Sequence, residues 1–460
     1  MNQNFYFGFT SPDDRLPTGK SGYESILKHR RPNQQPSSVT TRIRRVSLKV
    51  VLLQKIRVAQ VLGPKKLFLL PFALLYVGGL LLLSRIIRVN IHPIVNDRIG
   101  HFVMNTEISV LKIKEVQDRS VSPSLLIGCA ISTKSCNLAL EKMWKREFNF
   151  KTNEWGWLLN DISRRSNRKD FYQESTRDDV LGLRNRNLPL LRFTSDEENI
   201  GLKFLLDNGI SDSHKIICLN VRDSSFLANS PPLSWSKNRD WSYQNYRDSD
   251  VNTYVAAAEA LAEKGYTVFR MGAIVEKPLI SNHHRVIDYA TNGMRTEFLD
   301  IYLGANCAFC ISTGSGWDDI PVVFRRPTMF VNYLPVFAPT ALTLPLVISQ
   351  KILQDDLTKS DLRLDEIIER NVHGSLFSAE YAHAKVKIRD MSSVELVAAV
   401  TEMAARVEGT FVETQAQKQM QAKLKHIFST HPKLQPTPNY YPIRAEFASC
   451  FLSNYPNFLD

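Results

Sequence analysis

Four short apolar runs between residues 215 and 334 constrain the fold of this chain more than any other feature. They are rich in Ile, Val, Phe and Cys, and helical patterns and turn residues separate them. Runs of this kind are typical of strands that are buried on both faces of a parallel sheet. The sequence therefore predicts an α/β fold with strands at residues 215–222, 266–272, 306–312 and 327–331.

The residues that follow these strands indicate an anionic ligand. Ligands of open α/β sheets bind outside the carboxyl ends of the strands. Two predicted strands end near Arg222 and Arg270, whose planar guanidinium groups can each make two hydrogen bonds to phosphate oxygens. A third ends in Ser312-Thr313-Gly314-Ser315-Gly316, whose backbone N–H groups can approach a phosphate at the start of a helix predicted for residues 317–324. Singly, such an arginine is more often a surface ion-pair partner and such a run an ordinary turn; their recurrence at one edge favours a nucleotide-diphosphate site.

The positive charge of the chain is concentrated at its N-terminus. The 460 residues are 43% hydrophobic and 23% charged, which is an ordinary globular composition, and the formal net charge is +12. Residues 1–66 hold thirteen Lys and Arg against Asp13, Asp14 and Glu24, a net of +10, which leaves about +2 for the remainder. A nucleic-acid-binding domain carries its charge on its folded surface, so we expect no nucleic-acid partner.

Two N-terminal segments follow different patterns. Residues 1–40 are rich in Pro, Ser, Asn, Gln and Gly and lack periodicity, which predicts a disordered basic arm. From residue 41, apolar residues lie among Arg and Lys in a pattern typical of a basic amphipathic helix on an anionic lipid surface. A helix packed on the chain's own globular part fits this second segment equally well.

Residues 67–84 (LFLLPFALLYVGGLLLLS) contain no charge and have basic residues at both ends. Their number approaches that of a membrane span, and they lie too far from the N-terminus for a signal peptide. A buried core helix is the alternative, but Pro71 and the Gly78-Gly79 pair disfavour a long regular helix. We therefore predict that residues 41–90 associate with a membrane, the apolar part as a re-entrant or shallowly inserted hairpin.

The six cysteines are predicted to be unbridged. Cys218, Cys307 and Cys310 lie within predicted strands, where a free cysteine behaves as a small hydrophobe. Cys307 and Cys310 have C-x-x-C spacing, but no second pair or nearby His completes a zinc set. Neither a metal site nor a cofactor is predicted.

Residues 91–194 are predicted to form a second, smaller α/β unit, with a strand at 124–130 and a helix at 137–148. At its start a glycine turn, flanked by Arg98 and His101, enters a helix and can face a cleft between two such units. The same two residues also fit a capping pair in an ordinary turn.

Six motifs follow one another between about Arg98 and Pro335, over about half of the chain. They are Arg98-Ile99-Gly100-His101, Val221-Arg222-Asp223, Asn245-Tyr246-Arg247-Asp248-Ser249-Asp250, Phe269-Arg270-Met271-Gly272, Ile287-Asp288-Tyr289-Ala290 and Ser312-Thr313-Gly314-Ser315-Gly316. In this order they resemble a family of glycosyltransferases encoded in bacterial surface-polysaccharide loci. More distantly, the strand-end arginine and the first glycine turn are similar to those of O-fucosyltransferase-type enzymes of the GT-B fold, in which a His-x-Arg motif holds the donor diphosphate.

The resemblance implies two Rossmann-like domains facing a cleft: an acceptor-side domain at 91–194 and a donor-binding domain at 195–410, followed by a helix and tail at 411–460. It implies transfer of a sugar from a nucleotide-diphosphate donor to a surface-glycan or lipid-linked acceptor. No metal ion is predicted to be needed, because Arg222 and Arg270 could stabilise the negative charge that develops on the diphosphate. Arg222 would clamp the diphosphate, and His101 or Asp223 would accept the acceptor's proton. The implied donor-binding residues are Arg98, Gly100, Asn220, Arg270, Gly272, Asp288, Tyr289, Ser312, Gly314, Ser315 and Gly316.

One departure from the family pattern concerns catalysis. The family usually has His two residues before the arginine, where this chain has Asn220. An amide can hydrogen-bond a phosphate or a sugar hydroxyl, but it cannot act as a general base near pH 7. This residue favours a second hypothesis, a catalytically inactive membrane-bound nucleotide-binding subunit that regulates polysaccharide assembly. A structural membrane adaptor is a third, and the ordered strand-end motifs argue against it.

The expected location is the cytoplasmic face of a membrane, by monotopic or single-pass attachment. A span would place the basic arm inside and the globular part outside. The sequence has no Asn-x-Ser/Thr glycosylation acceptor, and bacterial nucleotide-sugars are cytoplasmic, so monotopic attachment is favoured. We expect the full chain to sediment with membranes and a chain beginning near Ile91 to stay in solution.

Overall fold

The structure, a computed structural model, describes residues 48–118, 124–173, 175–177, 179, 182–212, 215–229, 240–336, 346–434 and 445–460. The predicted disordered arm at 1–40 and the beginning of the predicted amphipathic helix lie outside these residues. Within them, helices alternate with two parallel sheets and one two-stranded antiparallel ladder, which confirms the α/β class.

The N-terminal unit holds the smaller sheet, whose described strands pair in the order β1-β2-β3. Strand β1 was not predicted, and it begins at Arg88, inside the segment assigned to the membrane. The elements in chain order are α1 (Leu48–Leu83), β1 (Arg88–Ile94), a π-helix (His101–Asn105), α2 (Thr106–Asp118), β2 (Ser124–Ala130), α3 (Leu138–Glu147), β3 (Phe150–Lys151), α4 (Glu154–Arg165) and α5 (Leu183–Arg186).

The remaining elements form the larger unit. Short 3₁₀ helices lie at Ser242–Arg247, Val251–Tyr254, Pro432–Leu434 and Pro456–Leu459. The others are α6 (Ser195–Asp207), β4 (Ile216–Asn220), α7 (Ser225–Asn229), α8 (Val255–Glu263), β5 (Thr267–Arg270), β6 (Val286–Ile287), α9 (Glu297–Asn306), β7 (Phe309–Ser312), α10 (Asp319–Val323), β8 (Thr328–Tyr333), β9 (Leu346–Gln350), β10 (Ile352–Asp355), α11 (Leu364–Glu369), α12 (Ser378–His383), β11 (Val386–Arg389), α13 (Ser393–Val407), α14 (Gln415–Thr430), β12 (Glu446–Phe447) and α15 (Ser449–Asn454).

The larger sheet has the doubly wound strand order of a Rossmann fold. Its described strands run β12-β9-β8-β7-β4-β5-β6, and their pairings are parallel. The four predicted strands are confirmed as β4, β5, β7 and β8, and every residue of β4 is buried. From β4 the chain adds β5 and β6 on one side, then returns to add β7 and the rest on the other. A ligand crevice is expected where the direction reverses, at the carboxyl ends of β4 and β7.

Helix α1 is interrupted at Gly63, where φ is 71° and ψ is 164°. Pro64 begins the second segment, which suits it because the first turn of a helix needs no N–H from proline. From Gly63 to Leu83 the helix continues through Pro71 and both glycines, so the predicted hairpin is wrong. An 18-residue stretch within these 21 residues has a mean hydropathy of 2.1, and the segment is long and apolar enough to cross a membrane.

One side of α1 packs on the smaller sheet, which offsets the weak helix propensity of its proline and glycines. Ala73, Val77 and Leu80 are buried in one cluster with Val89, Ile91, Cys129, Leu158, Leu159 and Phe171. A chain beginning at Ile91 would lack three residues of β1 and uncover this cluster. We therefore expect such a chain to aggregate, contrary to the expectation from sequence.

The two units share a continuous hydrophobic core. Ile94 and Phe102 of the smaller unit belong to the same buried cluster as Ile320 and Val323 of the larger. A Cβ atom added to Gly100 would lie 2.7 Å from the carbonyl oxygen of Gly316, so the backbones of the two units touch there. The two units, which the sequence predicts to face a cleft, thus touch directly at Gly100 and Gly316, and the smaller unit contributes three described strands.

Candidate active site

The structure brings nine of the predicted site residues together where β4 and β7 end. Asn220 and Ser312, the last residues of these strands, are paired in register. The glycine turn of the smaller unit meets the loop after β7 through Gly100 and Gly316. The nine residues are Arg98, Gly100, His101, Asn220, Arg222, Ser312, Gly314, Ser315 and Gly316.

Asn220 ties the two strand ends to each other. Its Nδ2 donates to Ser315 Oγ at 2.6 Å and to Ser312 Oγ at 3.3 Å. Its carbonyl oxygen accepts from the N–H of Thr313 at 3.1 Å. The amide thus holds the loop after β7 in place, a task for which its two N–H donors suit it better than an imidazole.

Arg222, predicted to clamp a diphosphate, is buried and paired with a carboxylate of the chain. Its side chain is 9% exposed and forms an ion pair with Asp248, and Nη1 also donates to the Gln244 carbonyl at 3.4 Å. Its backbone N–H donates to Thr313 Oγ1 at 2.8 Å. Burial, followed by the neighbouring Arg247, lowers the pKa of Arg222. Burial also raises the pKa of Asp248, although Arg222 opposes that shift.

Arg247 places a second guanidinium group at the same strand ends. Its Nη2 donates to the carbonyl oxygen of Gly314. Gly314 has φ of 87°, and a Cβ there would lie 2.6 Å from the ring of Tyr333, so this position requires glycine. Arg247 is close enough to disfavour the charge of Arg222, and an anion bound beside both would relieve that repulsion.

The predicted phosphate loop is occupied by a carboxylate of the chain itself. Asp318 Oδ2 accepts from the Ser312 hydroxyl at 2.7 Å and from the Ser315 N–H at 2.6 Å. The N–H groups of Gly314 and Trp317 donate to Ser312 Oγ and Ser315 Oγ. Three backbone N–H groups expected to face a phosphate are therefore already bonded. The following helix, α10, is also shorter than the predicted 317–324.

The smaller unit adds cations and a neutral histidine beside this loop. Arg177 Nη2 donates to both carboxylate oxygens of Asp319, at 3.1 and 3.0 Å, and the latter oxygen is 2.7 Å from the Cβ position of Gly100. His101 begins the π-helix. Burial, and then Arg98 and Arg177, lower the pKa of His101 to about 4, so that it is neutral at pH 7.

The other predicted site residues lie at the ends of β5 and β6 and brace the fold. Arg270 is 1% exposed and pairs with Asp288 at 3.3 Å, and its Nη2 is 4.0 Å from Asp223. Asp223 accepts from the N–H groups of Ser225 and Glu276, at 2.9 and 2.8 Å. The burial of Arg270 and the partners of Asp223 and Asp288 disfavour direct contact of these side chains with a donor or an acceptor, and their predicted roles stay predictions.

Two predicted residues are also structural. Tyr289 is fully buried, and its hydroxyl is 3.2 Å from Asp300 Oδ1, which disfavours the predicted contact with a donor. Gly272 has φ of 155° and approaches Val275 so closely that a Cβ would lie 2.4 Å from its side chain.

Sequence reasoning missed four residues that the structure places here: Arg177, Arg247, Asp248 and Asp318. Arg247 and Asp248 belong to a motif that the resemblance already singled out, and Asp318 follows the predicted loop directly. Arg177 lies in a polar stretch without a pattern that would have found it.

The prediction of metal independence left out Asp248 and Asp250, which have Asp-x-Asp spacing and could share a cation. In the structure Asp250 Oδ1 instead accepts from the N–H of Asn252 at 3.1 Å, and Asp250 Oδ2 lies 3.5 Å from Lys277 Nζ. Among the described residues, no group of three or more His, Cys, Asp or Glu side chains could hold a metal ion. Cys218, Cys307 and Cys310 are buried free thiols, as predicted.

Asp318→Asn is expected to change how stability depends on pH. Burial, then Asp319, raise the pKa of Asp318 to about 7 from an ordinary 3.8. Such a group contributes stability below pH 4 and loses it as the pH rises through 7. Asparagine can accept the same two hydrogen bonds without charge. As the pH rises from 5 to 8, the melting temperature of the variant should therefore increase relative to that of the native protein.

The control for this experiment is Asp207→Asn, which removes a carboxylate that is 58% exposed. The melting temperature of this control should differ from that of the native protein by the same amount at every pH. A constant difference for Asp318→Asn as well would show that the carboxylate does not take up a proton in this range.

These features define an α/β protein with an arginine-lined site at the switch point of a doubly wound sheet. No protein-family model matches the chain, and no curated protein matches it. Among solved structures it is similar to a glycosyl transferase family 9 protein from Veillonella parvula DSM 2008, at 12% identity over 57% of this chain and 87% of that one, with a TM-score of 0.35. It is also similar to the ADP-heptose LPS heptosyltransferase II of E. coli, at 12% identity over 57% and 91%, with a TM-score of 0.33. Likeness this weak assigns no family, and the function below rests on the chain's own residues.

Proposed function

We propose that the chain is a glycosyltransferase that moves a sugar from a nucleotide-diphosphate donor to a surface-glycan or lipid-linked acceptor. The observation that carries this proposal is the pair of guanidinium groups, Arg222 and Arg247, at the carboxyl ends of β4 and β7. Breaking the sugar–phosphate bond leaves negative charge on the diphosphate. Cations placed there in advance stabilise the transition state more than the ground state, and they can do so without a metal ion.

The ion pair with Asp248 orients Arg222 and leaves part of its guanidinium for a donor. Among the described residues, both of its hydrogen bonds are made by Nη1. Nη2 and Nε are then the atoms that a diphosphate would meet, as a two-pronged contact. Burial raises the pKa of Asp248, so the negative charge on this carboxylate is less stable than it would be on an exposed one.

His101 is the group proposed to accept the acceptor's proton. It is neutral, and it follows the glycine that touches the loop after β7. The pKa of an imidazole beside two arginines should rise when an anionic donor binds, which would make it a better base. Asp223, the other candidate, is held by two backbone N–H groups.

A nucleotide-binding subunit without catalytic activity is the second candidate. The observation that favours it is Asn220, an amide fixed between two serine hydroxyls at the position where the similar family has histidine. Such a subunit would bind the same donor and regulate polysaccharide assembly. In either case we propose that the chain acts at the cytoplasmic face of a membrane.

Titration calorimetry of the full chain against a panel of nucleotide-sugars tests this proposal. Because α1 contributes to the core, the protein should be used whole, in detergent or lipid nanodiscs. Binding with turnover of the donor supports the transferase, and binding without turnover supports the inactive subunit. No binding of any donor would remove both.

A further inference from the structure

The apolar segment of α1 has two faces with different surroundings. Its inner face packs on the smaller sheet through Ala73, Val77 and Leu80, which are spaced four and three residues apart. Its outer face carries large apolar side chains that are 54% to 76% exposed: Phe68, Phe72, Leu75 and Leu82. In the turn that follows the helix, Ile86 is 83% exposed and continues this stripe. Soluble monomers rarely leave so continuous an apolar stripe in water.

We propose that this outer face inserts into one leaflet of an anionic membrane, parallel to its plane, and that the chain does not cross the bilayer. The partner is a phospholipid surface, and the contact is the stripe of five side chains from Phe68 to Ile86.

The packing of the inner face argues against a span. Partly buried Leu69, Leu70 and Leu81 extend that contact along most of the segment from Gly63 to Leu83. A bilayer core is about 30 Å thick and would need the full length of such a helix. Helix α4, which packs along α1, carries Asp161, Arg164 and Arg165. A spanning α1 would draw these charges into hydrocarbon, where charged side chains are strongly disfavoured.

The charges around α1 match an anionic surface. Exposed Lys65 precedes the stripe, and exposed Arg85 and Arg88 follow it. Lys66 Nζ lies 3.8 Å from the ring centroid of Trp157, and the rings of Tyr76 and Trp155 are 5.7 Å apart. Basic residues at both ends and aromatic rings beside an apolar face are typical of a helix at the lipid headgroups.

The direction of α1 brings the membrane toward the candidate site. A short turn joins the end of α1 to the start of β1, so the helix runs back along the strand. Lys66, near the start of the apolar segment, contacts Trp157 of α4, which begins just after β3 at the carboxyl edge of the smaller sheet. The turn with Gly100 follows β1 at the same edge and reaches the candidate active site. Resting on the proposed function, this placement favours an acceptor anchored in the same leaflet.

The first test measures partition of the full chain onto vesicles of phosphatidylcholine with about a quarter phosphatidylglycerol. The variant Phe68→Ser/Phe72→Ser/Leu75→Ser should bind on the order of a hundredfold more weakly, because three large side chains no longer leave water. The matched control, Leu188→Ser/Leu206→Ser/Val394→Ser, changes residues that are 64% to 80% exposed elsewhere and should bind like the native protein. Native binding by the first variant would overturn the proposal. The proposal would also be overturned if the native protein did not bind vesicles but dimerised through the stripe.

The second test distinguishes a helix in the plane from a span. Lys65→Cys and Arg85→Cys are added separately to sealed vesicles and treated with a membrane-impermeant maleimide, and mass spectrometry locates the label. An in-plane helix leaves both ends accessible from outside. Protection of one end until detergent is added would establish a span. Neither test involves a nucleotide-sugar, so failure here is separate from failure of the proposed transferase.

Discussion

Arg222→Lys is expected to slow sugar transfer by on the order of a hundredfold, the effect of losing one pre-placed donor to developing charge. Lysine keeps a positive charge for Asp248. It lacks the planar fork, so Nη2 and Nε no longer offer two parallel hydrogen bonds to a diphosphate. Initial rates with saturating donor, measured on the full chain, would show the loss.

Melting curves separate this effect from a loss of folding. Because Arg222 is 9% exposed, a fall in stability of about 1 kcal/mol is expected even with the charge retained. Arg363→Lys, in a pair with Asp365 whose partners are 46% and 45% exposed, is the control and should change neither quantity. A variant of Arg222 that melts early but keeps its activity per folded molecule would make the residue a structural ion-pair partner only.

Gly100→Ala is expected to disturb the contact between the two units. The new methyl group would lie 2.7 Å from both Gly316 O and Asp319 Oδ2, and one of these is backbone that cannot turn aside. Overpacking of this kind costs on the order of 1–3 kcal/mol. Transfer should fall at least about tenfold, because His101 and the loop after β7 are then misaligned.

The control for this substitution is Gly374→Ala, where no atom lies within 4 Å of the added Cβ. It should melt and react like the native protein. If Gly100→Ala does the same, the two loops do not touch in solution and the site described here is not assembled from both units.

The strands at the centre of the larger sheet could be predicted because burial on both faces leaves a local run of apolar residues. The strands at the edges of the two sheets could not be predicted in this way. Strands β6 and β12 have two residues each, too few for a pattern. Strand β1 follows the apolar helix so closely that the predicted boundary at residue 90 falls inside it.

The site was predicted less well, and Arg222 with Arg270 shows why. Both arginines lie at the carboxyl end of an apolar strand, and nothing local distinguishes them. Only the order of strands places one at the switch point, while the other is enclosed between Asp223 and Asp288. The ion-pair partners of these arginines are equally distant in sequence. Arg222 pairs with Asp248, 26 residues away, and local sequence does not show this pairing.

The shared core has a consequence for how the two units move and unfold. Two domains that meet through a small polar interface can swing apart, but an apolar core that runs through both resists separation. Ile94 and Phe102 cannot leave Ile320 and Val323 without exposing that core to water. The units should therefore lose their structure together, and substrates must enter by local rearrangement at the rim of the site while the protein as a whole stays closed.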